Sequence, residues 1–374
     1  MRLTVSQNDF HKAISLVSAL TERKSTMPVL SNILLSTHNN TLRLSATDME
    51  VATIVHVPAT IENSGSIAVS GRVLSDIVRE LPEGPVTLEL KDRARLLVRS
   101  RESQIQINGV AGDEYPTLNG VNLNASNSVS PEILRAMIDG TLYACSVDET
   151  RFILNGICLE GVAERKDLTT LKMVATDGHR LALVSRSVSK LKIADRVIIS
   201  KRGVQEIRKV LDSVDSGNIS FDISDGFFVV EASDAKIATR LIDGEYPDYT
   251  VVIPQAPGVT CKVNNRDLYH LLRRISVVLT DKTKKVEITF GPGAMCVRGA
   301  SSELGEAEET LEVEYDGEPL RVGYNAKYLA EALDSINDEG KVCFDLHGEV
   351  GPAKIWSEDD ETAFAIVMPM RLDS

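Results

Sequence analysis

Asp177, His179 and Arg180 stand within four residues of one another in the stretch KMVATDGHRLAL, Lys172 to Leu183. A carboxylate and an imidazole this close could orient and activate a nucleophile, the arrangement a hydrolase needs. A second stretch argues against that chemistry. SATDMEVATIV, residues 45–55, carries the same Thr-Asp pair as Thr47-Asp48, with neither histidine nor arginine after it. Aspartate between two strands serves turn geometry, because its carboxylate takes up nearby backbone amides. The Thr-Asp turn is therefore expected to belong to a repeat, with His179 and Arg180 decorating one copy. No G-x-S-x-G, P-loop, H-E-x-x-H or G-x-G-x-x-G is present, and GPGAMC at 291–296 misses the last of these. The other five histidines are scattered singly, and cysteines 145, 158, 261, 296 and 343 form no C-x-x-C. No catalytic residue, metal, cofactor or disulfide framework is expected. A hydrolase using Asp177 and His179 is the competing reading; a decorated turn that binds something is the better one.

The elements that must position this turn recur six times. A short β-type run ends in a helix-capping residue at Val5-Ser6, Val69-Ser70, Val129-Ser130, Ile199-Ser200, Val263-Asn264 and Tyr324-Asn325. The caps lie 64, 60, 70, 64 and 61 residues apart. Ser and Asn suit the position because their side-chain oxygens accept from an orphaned helix amide, and Pro131 falls where a helix tolerates proline. Four residues past each cap stand Phe10, Leu74, Leu134, Val204, Leu268 and Leu329; seven past stand Ala13, Ile77, Met137, Ile207, Leu271 and Ala332. Those offsets share one helix face and predict a buried stripe. Strand-like runs follow, such as NILLSTH, TLRLSAT and VATIVHV after the first helix and KVCFDLHG, AKIWSED and TAFAIVMP after the sixth. The expectation is an α+β chain of six strand–helix–three-strand copies paired into three tandem domains, at 1–122, 123–253 and 254–374. GDEYPTL at 112–118 and DGEYPDY at 243–249 close copies two and four.

The chain totals −13 over 374 residues, which by itself argues against a nucleic-acid partner. Read by face, the balance changes. Positions one, two, five, six and nine past each cap are expected to face outwards. They hold ten basic residues (Lys12, Arg72, Arg79, Arg135, Lys201, Arg202, Lys209, Arg266, Arg273 and Lys327) and six acidic ones (Asp76, Glu132, Asp139, Glu206, Glu331 and Asp334). The helix faces thus carry +4 and the remainder −17. Such a face suits weak, sequence-independent, salt-sensitive contact with phosphates. Elsewhere RARLLVRSR, 93–101, carries four arginines and ELGEAEE, 303–309, four glutamates. Their opposite signs suggest head-to-tail association, which closes into a ring where the rotation permits. No run of 18 apolar residues and no signal peptide is found, and the scattered thiols suit a reducing cytoplasm.

VATDGHRLAL, DGEYPDY and the terminal VMPMRL, with PVLSNILL at 28–35 and RFILNGICLE at 151–160, together resemble the bacterial DNA polymerase III β subunit over nearly the full length. The resemblance implies three DNA-clamp domains, a head-to-tail homodimeric ring threaded by double-stranded DNA, and no catalysis. It implies as partners a second copy, duplex DNA without sequence preference, the replicative polymerase, a clamp loader and other proteins carrying clamp-binding peptides, with no membrane. The location implied is the cytoplasm, at the nucleoid during replication. Carried over by position, a peptide pocket comprises Leu154, Thr176, Gly178, His179, Arg180, Leu181, Pro247, Val252, Asn325, Tyr328, Val350, Ile366, Val367, Met368, Pro369, Met370 and Arg371, with His179 and Arg180 as donors at its rim. Val251 stands where the family often has arginine, and Asp373-Ser374 extend past its usual ending. Arg23 and Lys24 sit in a loop resembling a DNA-contacting one and join Arg72, Arg79, Arg135, Lys201, Arg202, Lys209, Arg266 and Arg273 as DNA-facing. A dimer seam is implied at Ile105, Ile107, Val278 and Leu279, flanked by Arg95, Arg99, Arg101, Glu303, Glu306 and Glu308. A monomeric repeat scaffold without a DNA role is the third reading.

Overall fold

The computed structural model describes residues 1–22, 26–92, 94–116, 125–165, 167–189, 191, 193, 196–214, 217–280, 284–336 and 339–372. Among the described residues six α-helices fall where the caps predict them: α1 Gln7–Ser18, α2 Gly71–Glu80, α3 Pro131–Asp139, α4 Lys201–Asp212, α5 Asn265–Ile275 and α6 Ala326–Ile336. The Asn264 side chain accepts from Asp267 N at 3.0 Å, and Asn325 Oδ1 accepts from Lys327 N at 3.0 Å. Ser70 accepts from Val73 N, whereas Ser6 makes no side-chain cap. Eleven of the twelve stripe residues are buried, and Ile77 is half-buried. Period-3.6 patterning therefore read the buried face correctly.

One part of the outward reading is corrected. The first helical residue faces inwards: Gln7, Gly71, Pro131, Asn265 and Ala326 are buried, and Lys201 in the same position is half-buried. Two of these residues show why. Gln7 Nε2 donates to Val78 O at 2.7 Å and Asn265 Nδ2 to Leu333 O at 3.2 Å, each tying the start of one helix to the end of its neighbour. The backbone repeats the relation, with Gln7 N donating to Gly84 O and Asn265 N to Gly340 O. In both copies a buried side-chain amide donates to a carbonyl near the end of the partner helix.

The chain divides into two compact units, residues 1–132 with 202–241, and residues 133–201 with 242–374. The first holds a 13-stranded sheet; the second holds an 8-stranded and a 4-stranded sheet. NILLSTH and TLRLSAT form strands Asn32–His38 and Thr41–Thr47 as read. The middle third of the chain is shared between the units. Its strand Ala235–Arg240 pairs antiparallel with Val51–Pro58 in the first unit, through Ala235↔Val55 and Ile237↔Thr53. Its strand Arg180–Ser189 pairs with Asp360–Val367 in the second, through Arg180↔Val367 and Leu183↔Phe364. Both sheets thus run on across the boundaries expected from the repeat, and strand edges that would otherwise stay open are covered.

Candidate functional site

The Thr-Asp turn is the same structure in both copies. Thr47 Oγ1 donates to Val51 O and accepts from Met49 N, while Thr176 Oγ1 donates to Arg180 O and accepts from Gly178 N. Asp48 Oδ1 accepts from the amides of Glu50 and Val51, and Asp177 Oδ1 from those of His179 and Arg180. The tyrosines of the two E-Y-P segments complete it: Tyr115 Oη accepts from Thr47 N and Tyr246 Oη from Thr176 N, both at 3.1 Å. The residue after the aspartate has φ +76° at Met49 and +87° at Gly178, a conformation that only glycine adopts without strain. Asp177 is a turn-former, as the repeat implied.

What distinguishes the second copy is Arg180. Its side chain is 8% exposed and makes no free rim donor, contrary to the sequence reading. Nε donates to Asp177 Oδ2 at 3.1 Å, Nη2 to Tyr143 O at 2.6 Å, and Nη1 pairs with Glu331 on α6. The guanidinium lies 4.4 Å from the Tyr328 ring centroid and 5.2 Å from that of Tyr143. A planar cation with its donors spent and rings nearby holds elements together. Arg180, exposed His179, Asn325 and Tyr328 line a cleft of 320 Å³, joined there by Cys145, Ser146, Val147, Asp148, Arg151, Asp177, Lys284 and Lys327. Cys145 is the thiol in this cleft, and burial pushes its pKa up to about 12, so it stays protonated and unreactive. Asp177 gives its carboxylate to two amides and Arg180, leaving His179 without the oriented base that hydrolysis needs.

The rest of the expected pocket sorts by strand parity. Leu154, Leu181 and Ile366 share one apolar cluster with Tyr246 and Tyr249, while Val367 turns into the opposite core. Beyond it the chain is held by Met368 N donating to His179 O at 3.0 Å and Met370 N to Gly323 O at 2.8 Å. Met368, Met370 and Val252 are exposed apolar side chains, as are Val251 and, missed by the sequence reading, Phe152. Pro247, Gly178 and Arg371 are also exposed; Thr176 and Pro369 are half-buried. Arg371 O accepts from Lys285 Nζ at 3.3 Å. Val350 stands 87% exposed between strands Lys341–Leu346 and Ala353–Ser357 and does not line the cleft. Arg151, also missed, donates from Nη1 to Asp177 O at 3.1 Å; the signal for it was its place in RFILNG beside the turn.

Of the basic helix residues, Arg72, Arg79, Lys209 and Arg273 are exposed, while Arg135 and Arg266 are half-buried. Arg202 is not outward: its Nε lies 2.6 Å from Asp48, the aspartate of the first-copy turn. Glu206, read as outward, is buried against Lys209 Nζ at 3.0 Å. Burial of a carboxylate demands such a partner. Arg23, Lys24, Asp373 and Ser374 lie outside the described residues.

Two strand edges remain. Ser103–Ala111 pairs with Arg95–Ser100 on one side and meets Ser66–Ser70 only through residues 109–111. Among the described residues its 103–108 segment has an open edge, where Ile107 is buried and Ile105 half-buried. Gly305–Glu312 is the outer strand of the 4-stranded sheet. Exposed Glu303 and Glu308 lie there with Glu306, which pairs with Arg298 at 2.6 Å. Val278 and Leu279 are half-buried, and the bare apolar residues are the missed Val277, 75% exposed, and Leu304, 57% exposed. Arg95 pairs with Asp92, Arg99 with Glu89, and Arg101 donates to Glu83 O.

Repeated helix-on-sheet units, with a catalytic-looking cluster spent on structure beside a cleft, define a binding protein of the DNA-clamp type. Comparison with known proteins agrees. Residues 1–119, 128–248 and 250–371 match the N-terminal, central and C-terminal domains of the DNA polymerase III beta subunit family. The beta sliding clamp of Caulobacter vibrioides is 31% identical over 375 residues, and that of Escherichia coli 28% over 373, each alignment covering 100% of both chains. The sliding clamp of Bartonella birtlesii, solved bound to griselimycin, matches at a TM-score of 0.94 with 30% identity over 100% of both chains. The chain belongs to the DNA polymerase III β-subunit family. It is a processivity factor, a non-catalytic accessory subunit of the polymerase. Among the described residues no helix is long and apolar enough to cross a membrane.

Proposed function

We propose that two copies of this chain close head to tail into a ring around duplex DNA and tether the replicative polymerase and other proteins through the pocket beside Arg180. Each copy contributes three domains, residues 1–122, 123–253 and 254–374. The observation that carries this is the repeated helix: its apolar stripe is buried while Arg72, Arg79, Lys209 and Arg273 stay exposed in a chain of net −13. Such contacts are individually weak and sequence-blind. Weak contact permits sliding, and retention comes from topology. The open edge at 103–108 and the outer strand 305–312 are the surfaces for closing the ring, with Ile105, Ile107, Val278 and Leu279 at the seam and Val277 and Leu304 beside them. Arginines 95, 99 and 101 face the glutamates 303, 306 and 308 there, and strand addition supplies the backbone bonds. The DNA-facing set includes Arg23 and Lys24, with half-buried Arg135, Lys201 and Arg266 near the backbone of the duplex.

Exposed Met368 and Met370, backed by Leu154 and the buried Leu181 and Ile366, offer the apolar wall for a partner peptide, flanked by His179, Val252, Asn325 and Tyr328. One buried leucine or phenylalanine of such a peptide contributes roughly 1.5–3 kcal/mol. Griselimycin, which the Bartonella birtlesii relative binds, is a ligand of this chain as well on this reading. The ring is opened by an ATP-driven loader and works in the cytoplasm at the nucleoid. The test loads the protein onto nicked circular DNA with the loader from the same source, then linearises the circle. Retention on the circle followed by rapid loss from the cut DNA supports the ring. Equal retention before and after cutting refutes it.

A further inference from the structure

The buried apolar backing at Ile366 runs on past the pocket. Along the same face of strand Asp360–Val367, two residues back, stands Phe364, about 7 Å away at the ordinary strand rise. Half-buried Phe364 packs against the apolar cluster that contains Leu154, Leu181 and Ile366, the cluster that underlies the pocket on the reading above. On the neighbouring strand Lys354 is paired with Ile366 and Trp356 with Phe364. The Lys354 ammonium lies 4.9 Å from the Trp356 ring centroid and 4.8 Å from that of Phe364. Trp356, the only tryptophan in the chain, is half-buried. Three acids near this face are paired: Glu358 with Lys262 at 2.6 Å, Asp360 with Arg186 at 2.8 Å, and Asp345, opposite Lys354 on the next strand, with His347 at 3.0 Å. Lys354 has no carboxylate partner among the described residues.

We propose that Lys354, Trp356 and Phe364 form a second subsite that binds an acidic flank of the peptides received by the pocket. This rests on the pocket reading given above. A carboxylate from the peptide would pair with the Lys354 ammonium, whose charge the two rings already steady from below, while the peptide backbone lies across the Trp356 face. Partners with acidic residues beside their apolar core would be favoured over those with basic ones, giving the site a selectivity that the apolar pocket cannot supply.

The test uses two unlabelled synthetic peptides with the same Leu-Phe core, one flanked at both ends by Asp-Glu and the other by Lys-Lys. Calorimetry gives their affinities for the full chain, and Trp356 emission reports contact. The acidic peptide is expected to bind roughly three- to five-fold tighter at low salt and to change Trp356 emission. Lys354→Glu should abolish that preference with an unchanged melting temperature, and the pocket variant Met368→Glu should weaken both peptides. Equal affinities with unchanged Trp356 emission, in binding that Met368→Glu still weakens, overturn this inference and leave the pocket standing. Binding of neither peptide, or binding indifferent to Met368→Glu, overturns both.

Discussion

Arg180→Ala separates a structural clasp from a rim contact. The substitution strips Asp177 and Glu331 of their shared cation, leaves Tyr143 O without its donor and removes two ring contacts. Breaking a buried ion pair from one side costs about 3–5 kcal/mol. Two features reduce that figure here: Asp177 keeps two backbone amides, and Glu331 is 33% exposed and 3.7 Å from Lys327. A loss of about 3 kcal/mol is expected. Glu331→Gln alone should cost less, and the double variant should show a coupling of about 1–2 kcal/mol. Trp356 lies in the same compact unit, so urea unfolding followed by its fluorescence reads this unit directly. Peptide binding is measured in parallel, below the onset of unfolding. Unchanged stability with selective loss of peptide affinity would refute the clasp and restore Arg180 as a ligand contact.

Met49 and Gly178 occupy one left-handed position of the repeated turn, so Met49→Gly should stabilise by about 0–2 kcal/mol and Gly178→Ala destabilise by about 1–2 kcal/mol. Opposite signs in thermal melts check the equivalence. Burial pushes the thiols of Cys145, Cys158 and Cys261 up to about 12 and also raises that of buried Cys343, while Cys296 is half-buried. A thiol reagent at neutral pH should modify Cys296 first and the four buried cysteines only on unfolding, as peptide mapping would show. Burial, then the charges of Arg43, His38 and Lys236, hold His56 below its ordinary 6.5, with Asp234 opposing. The unfolded chain therefore takes up this proton first, so the penalty is absent above about pH 6.5 and grows as pH falls towards the lower folded value. His56→Gln should flatten that part of the stability–pH curve.

The helix stripe was legible because burial at four and seven residues past a cap follows from the 3.6-residue period alone. The Thr-Asp turn was legible because its hydrogen bonds close within five residues. Inward rotation of the first helical residue was not, since it depends on carbonyls of a second helix about 70 residues away, as at Gln7 and Val78. Nor was the fate of Arg180 legible, which is decided by Glu331, 151 positions on. Arg202 was misread for the same reason: a charge at an outward offset turns in when a carboxylate distant in sequence, Asp48, waits for it.

The sharing of the middle third between two sheets bears on how the chain emerges from the ribosome. Strand Val51–Pro58 meets its partner, Ala235–Arg240, only after roughly 180 further residues have been made, on the order of ten to forty seconds at ordinary synthesis rates. Throughout that interval the nascent protein carries a bare β-edge, so its birth is a window in which a chaperone, or a neighbouring nascent copy, has first access to it.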